Sequence, residues 1–159
     1  KLRVHGGRQM YHHEMVGTNS RLDALQAAVL SAKLPHLDKW SEGRKRNAEY
    51  YDQELAELEP VIRRPVALPG NDHVYNQYTV RAERRDELKE WLDEHGIGNS
   101  IYYPVPLHLQ PCFAELGYRE GDLPASETAA REVISLPIYP ELHESQLEEV
   151  VTRIRQFYE

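Results

Sequence analysis

A chain of 159 residues, 40% of them hydrophobic, suffices for one packed domain of ordinary size or a domain with a small appendage, and is too apolar for disorder. Its 26 acidic and 19 basic residues give a formal net charge of -7 with the Lys and Arg scattered, which argues against a nucleic-acid partner. No apolar run approaches the roughly 20 residues of a membrane span, the start Lys1-Leu2-Arg3-Val4-His5 lacks a signal-peptide core, and the single cysteine, Cys112, allows neither an intrachain disulfide nor a cysteine-based metal site; a cytoplasmic protein is expected.

Residues 1–19 hold Gly6-Gly7, Gly17 and the pair His12-His13, with no sustained period, and read as loop with a short strand at Leu2–His5. The chain begins in this stretch without an initiator Met, so it reads as a piece of something larger; a trimmed tag or processed N-terminus is the alternative. A long helix should follow, with Ser20 as its cap and Asp23 as a first-turn carboxylate. Leu22, Leu25, Val29 and Ala32, then Leu37, Trp40, Ala48, Tyr51, Leu55 and Leu58, recur mostly three or four apart and predict one buried face. Pro35 lacks an amide donor and predicts either two helices or one kinked at Leu34.

Beyond Pro60, Val61–Val66 reads as an edge strand because of Pro65, and Leu68–Asp72 as a turn. His73–Arg81 is rich in aromatic and β-branched residues and predicts a central strand, with Val74, Asn76, Tyr78 and Val80 on one face. Arg85–His95 predicts an amphipathic helix with Leu88, Trp91 and Leu92 inward and Gly96 at C′. A second strand is expected over Ile97–Tyr103, stopped by Pro104 and Pro106, then a short helix near Cys112–Leu116 and a loop at 117–124. A helix over 125–134, a third strand at Ile134–Pro140, and an amphipathic helix Glu144–Phe157 with Leu147, Val150, Val151, Ile154 and Phe157 inward complete the chain. The implied architecture is α+β: a small antiparallel sheet of three to four strands with helices on one face, preceded by the long helix.

The residues alone offer modest chemistry. His12 and His13 are adjacent rather than at i, i+4, and with Glu14 are weak as metal ligands; a solvated loop is the simpler reading. His108 follows Tyr102-Tyr103-Pro104 at a strand end, where loops carry binding groups, although a capping or surface histidine is equally consistent. Asn19 either donates to an anion at a helix start or simply caps the helix.

Gly17-Thr18-Asn19-Ser20-Arg21-Leu22-Asp23-Ala24-Leu25-Gln26-Ala27-Ala28 resembles the G-x-N-x-R-x-D-x-x-Q-A-A signature of the DegT/StrS sugar aminotransferases. Ile101–Pro111, Leu116-Gly117-Tyr118, Gly121–Pro124 and Leu136–Pro140 are similar to that family's C-terminal motifs in the same order. The resemblance implies a pyridoxal 5′-phosphate enzyme of the aspartate aminotransferase fold (fold type I), which moves an amino group from an amino acid, usually glutamate, to a keto sugar carried on a nucleotide. It also implies a homodimer. The family's Schiff-base lysine lies upstream of the segment matched by His5-Gly6, so no catalytic lysine is expected here, and Lys1, Lys33, Lys39, Lys45 and Lys89 match no such position.

On this resemblance, residues 1–20 are the tail of a large cofactor domain and 21–159 a C-terminal small domain including the connecting helix. Asn19 corresponds to the asparagine that reaches the cofactor phosphate of the neighbouring subunit, with Arg21 beside it as phosphate support or a structural pair. His108, Tyr102 and Tyr103 correspond to the lining of the nucleotide-sugar pocket, where the imidazole is expected to donate to a phosphate or sugar oxygen. His12 and His13 fall in a loop near its entrance. Two alternatives stay open: a sugar dehydratase of the same family using the same cofactor, and a non-catalytic dimerisation or ligand-binding module.

Overall fold

The structure is a computed structural model that describes residues 1–9, 12, 14–20 and 22–159. It divides into two compact units, Lys1–Asp38 and Lys39–Glu159. The expectations placed on His13 and Arg21 lie outside the described residues.

In the first unit, two arms of chain run antiparallel. The His5 amide donates to Thr18 O at 3.0 Å, Thr18 to Leu2 O at 2.7 Å and Ser20 to Arg3 O at 3.0 Å, around a single Val4–Asn19 bridge. The expected Leu2–His5 strand is therefore one bridge long. Gly17 lies where a Cβ would stand 2.2 Å from the Gly6 nitrogen, so this approach of the arms admits no side chain. Helix α1 spans Ala24–Lys33, and its cap is Asp23, whose carboxylate accepts from the Leu25 amide at 2.8 Å. Ser20 does not cap it: regular helix begins only at Ala24, which puts Asp23, not Ser20, at the capping position, while the Ser20 amide pairs with the antiparallel arm. Pro35 sits in a tighter 3-10 turn, Leu34–His36, that separates α1 from α2 (Leu37–Glu54), as the two-helix reading expected. The predicted buried face fails on α1, where no residue is buried and Leu25 is 80% exposed. It holds further on, at Ala48 and Tyr51 of α2 and at Leu55 just beyond it.

The second unit is built on a three-stranded antiparallel sheet, β1 (Ile62–Arg63), β2 (Tyr78–Ala82) and β3 (Val133–Leu136), in that spatial order. Ile62 faces Ala82 across the first pairing, and Tyr78 faces Leu136 across the second. Strand alternation turns Ile62, Tyr78, Val80, Ala82, Ile134 and Leu136 into the core. Helices α3 (Arg85–Glu94), α4 (Pro124–Glu132) and α5 (Glu144–Tyr158) complete the unit. Leu88 and Leu92 of α3 and Leu147, Val150, Val151 and Ile154 of α5 join the strand residues and Tyr51 in one hydrophobic cluster. Each such aliphatic side chain, once buried, contributes about 1.5–3 kcal/mol. The Tyr51 hydroxyl donates to Pro137 O at 3.0 Å and that of Tyr78 to Asp52 Oδ1 at 2.6 Å, so both buried phenols are satisfied. Burial pushes both phenol pKa values up, and the Asp52 bond adds to the rise at Tyr78.

The α+β class, the central position of β2 and the edge position of β1 match expectation; several lengths do not. β1 has two residues rather than six, and β2 starts at Tyr78, since residues 71–77 are irregular, with Tyr75 at φ +45° and a bend at 76–77. The strand expected over Ile97–Tyr103 is absent apart from a Ser100–Ser135 bridge. Asn99 limits it: its side-chain amide donates to Asp93 Oδ1 at 2.7 Å and Ile97 O at 3.2 Å, tying the chain to the end of α3 up to the point where Ser100 meets β3. The turn around Cys112 is a 3-10 helix, Pro111–Leu116. α4 ends at Glu132 because Val133 already belongs to β3, which stops before Pro137.

Candidate functional site

The loops around the end of β3 enclose a cleft of about 370 Å³ lined by Asn76, Gln77, Gly98, Asn99, Ser100, Tyr102, Ser135 and Leu136–Ile138. Its polar side chains are amides and hydroxyls, and none of the lining residues carries a formal charge. Such a surface suits a neutral ligand rich in hydroxyl groups better than a bare phosphate, for which a charge-assisted partner is the stronger bond. Asn99 Oδ1 is buried without a partner, while its amide nitrogen donates to Asp93 and Ile97. Of the residues expected at a sugar pocket, Tyr102 lines this cleft, whereas Tyr103, 72% exposed, and His108 do not. The two tyrosine rings meet edge to face at 5.7 Å across a cis peptide bond.

His108 stands in a 3-10 turn, Leu107–Leu109, and is only 7% exposed. Its Nε2 lies 2.9 Å from Oε1 of Glu127, itself 5% exposed. The Gly121 amide donates to both carboxylate oxygens at 2.9 Å, and Leu123 to Oε1 at 3.2 Å. Gly121 adopts φ +94°, a conformation that favours glycine, where its amide meets the carboxylate. The Gly121 amide first, then His108 and Leu123, hold the Glu127 carboxyl below the usual carboxylate range against the opposing effect of burial. A carboxylate only accepts, so His108 Nε2 carries the proton. The donor expected for a substrate oxygen is therefore spent inside the protein, while Nδ1 is buried without a partner. Tyr118 completes the surroundings, edge-on to the imidazole at 6.1 Å.

In the first unit, Asn19 is exposed, and among the described residues its side chain makes no hydrogen bond. It lies four residues before the cap of α1, so a helix-start setting does not apply to it; the free amide is what it offers an anion. His12 is exposed, with its backbone amide on Gln9 O at 3.1 Å. A larger cleft, about 500 Å³, opens at the start of α3, but it contains none of the expected residues. Arg81, Arg84 and Arg85 there are paired with Glu132, Glu87 and Asp86.

A family model described as the DegT/DnrJ/EryC1/StrS aminotransferase family matches residues 1–155. The chain belongs to that family. Among its relatives, a "pleiotropic regulatory protein" of Geobacillus stearothermophilus is 51% identical over 99% of this chain and 42% of its own length. A dTDP-3-amino-3,4,6-trideoxy-alpha-D-glucose transaminase of Streptomyces venezuelae is 49% identical over 99% of this chain and 41% of its own. The crystal structure of S. venezuelae DesV superposes with a TM-score of 0.92 at 49% identity, over 99% of this chain and 42% of that one. The chain thus spans about two fifths of the length of these DegT/DnrJ/EryC1/StrS relatives.

Sequence reasoning did not single out the polar cleft residues Asn76, Gln77, Asn99, Ser100 and Ser135, nor Glu127 beside His108. For Glu127 a signal exists: a carboxylate in the first turn of a helix, four residues after Leu123, can reach back to free amides of the preceding loop. No such signal exists for Asn76 and Gln77, which were assigned to a strand.

Proposed function

We propose that the full-length protein is a pyridoxal-phosphate-dependent aminotransferase, cytoplasmic and homodimeric, that moves an amino group from an amino acid such as glutamate to a keto sugar carried on a nucleotide. Residues 1–20 would belong to its cofactor domain and 21–159 to its small domain. The observation that carries the sugar assignment is the uncharged cleft around Tyr102, whose amide and hydroxyl lining matches the hydrogen bonding of a sugar ring. The family match and the names of its transaminase relatives supply the reaction class.

The residues present fit the cofactor in one respect: Asn19 offers an exposed amide with no competing partner among the described residues, a neutral donor for a phosphate oxygen. Arg21 follows in the same segment. When bound, the cofactor supplies an electron sink for the amino acid's α-carbon. This chain's contribution is to bind: Asn19 and Arg21 on the phosphate, Tyr102 with Asn76 and Gln77 on the sugar, Tyr103 at its margin, and the His12-His13 loop near the entrance.

The assay is steady-state kinetics on the full-length protein. Tyr102→Ala and Asn76→Ala should raise KM for the nucleotide sugar while leaving the half-reaction with the amino donor intact. Unchanged sugar KM in both variants refutes the cleft assignment. Asn19→Ala should lose bound cofactor on dialysis, read by its absorbance, because a hydrogen bond to a charged group contributes about 1.5–3 kcal/mol; full retention removes Asn19 from the phosphate site.

A further inference from the structure

One buried carboxylate joins three separate pieces of the second unit. Glu127 of α4 takes the Gly121 and Leu123 amides of the preceding loop and the Nε2 proton of His108 from the turn at 107–109. His108 in turn ends a short run, Tyr102-Tyr103-Pro104-Val105-Pro106-Leu107, whose two prolines restrict the backbone. Tyr102, at the other end of that run, lines the uncharged cleft. We propose that Glu127 is a positioning residue: through His108 it holds the Tyr102 segment in place and so sets affinity for the nucleotide-linked sugar without touching it. The proposal rests on the reading of the Tyr102 cleft as the sugar site.

The chemistry makes the latch specific to a carboxylate. All three donors converge on it, and every acceptor position they use must be a lone pair. A glutamine has the same shape but turns one oxygen into an N–H donor, which would then face the Gly121 amide or the imidazole N–H. An aspartate is one methylene too short to serve both the loop and the turn. On the other side, a glutamine at 108 can still present an N–H near where Nε2 stands, whereas a leucine cannot.

The experiment compares Glu127→Gln, His108→Gln, His108→Leu and Tyr102→Ala in the full-length holoenzyme, measuring nucleotide-sugar KM, the donor half-reaction and retained cofactor. Glu127→Gln and His108→Leu should raise the sugar KM between about tenfold and about a hundredfold, the range for a displaced contact. His108→Gln should restore most of the affinity, and the donor half-reaction and cofactor content should stay at the wild-type level. If Tyr102→Ala raises the sugar KM but Glu127→Gln and His108→Leu leave it unchanged, the latch is refuted and the cleft assignment stands. If Tyr102→Ala has no effect, the cleft assignment itself fails and the proposal with it. Equal loss of donor half-reaction, cofactor and sugar affinity in His108→Leu and His108→Gln alike would mark a general packing role and overturn the positioning role.

Discussion

Helices α1 and α5 are both amphipathic in sequence, yet α5 buries Leu147, Val150, Val151 and Ile154 and α1 buries nothing. α5 shares one core cluster with strand residues Val80 and Ile134 of the same unit, so its apolar stripe has a sheet to cover it. α1 meets no such layer among the described residues, and Leu25, Val29 and Leu30 stay more than half exposed. Periodicity establishes that a face is apolar; what covers the face is a property of the neighbouring elements.

That contrast can be broken or sharpened by substitution in the 159-residue chain. The largest effect belongs to α5: Ile154→Ala should cost about 2–5 kcal/mol in urea denaturation, because a fully buried side chain leaves a cavity between helix and sheet. Tyr78→Phe should cost less, about 1–2 kcal/mol, since it removes one buried hydrogen bond to Asp52 and leaves the ring packed. Next comes a pH effect at Glu127. Its folded carboxyl lies below the ordinary range, so its contribution is fully present above about pH 4.3 and is lost as pH falls through the folded value. The stability gap between wild type and Glu127→Gln should therefore be present at neutral pH and close as the carboxyl protonates; a gap that persists undiminished below the carboxylate range contradicts the latch. The smallest effect is that of Leu25→Ala in α1, expected within about 0.5 kcal/mol. A loss there as large as that of Ile154→Ala would erase the difference between the two helices.

The fold was legible wherever a helix or strand period by itself marked the face that is buried. Leu88 and Leu92 of α3, the inward residues of α5 and the alternation from Tyr78 to Ala82 were all readable, because helix and strand periods report directly on a buried face. The cap of α1 was misread because Ser20 and Asp23 are both good capping residues, and what decides between them is where the antiparallel arm, which still holds the Ser20 amide, gives way to helix. The missing fourth strand is a similar case: Ile97–Tyr103 has strand-like residues, but the Asn99 side-chain amide ties the chain to the end of α3. At the candidate site, the sequence motif singles out Tyr102, which borders the uncharged cleft, whereas the Glu127–His108 pair spans 19 residues and leaves no local trace beyond a carboxylate in the first turn of α4.

The most direct test of the proposed activity uses the full-length protein with pyridoxal phosphate, glutamate carrying an isotopically labelled amino nitrogen, and a nucleotide-linked keto sugar. The proposal predicts that the label appears on the sugar nucleotide, with 2-oxoglutarate released in equal amount, its new carbonyl oxygen taken from water while the sugar's carbonyl oxygen leaves as water. A sugar nucleotide that loses water and gains no label, or no turnover of any nucleotide-linked keto sugar by a cofactor-loaded protein, would contradict it.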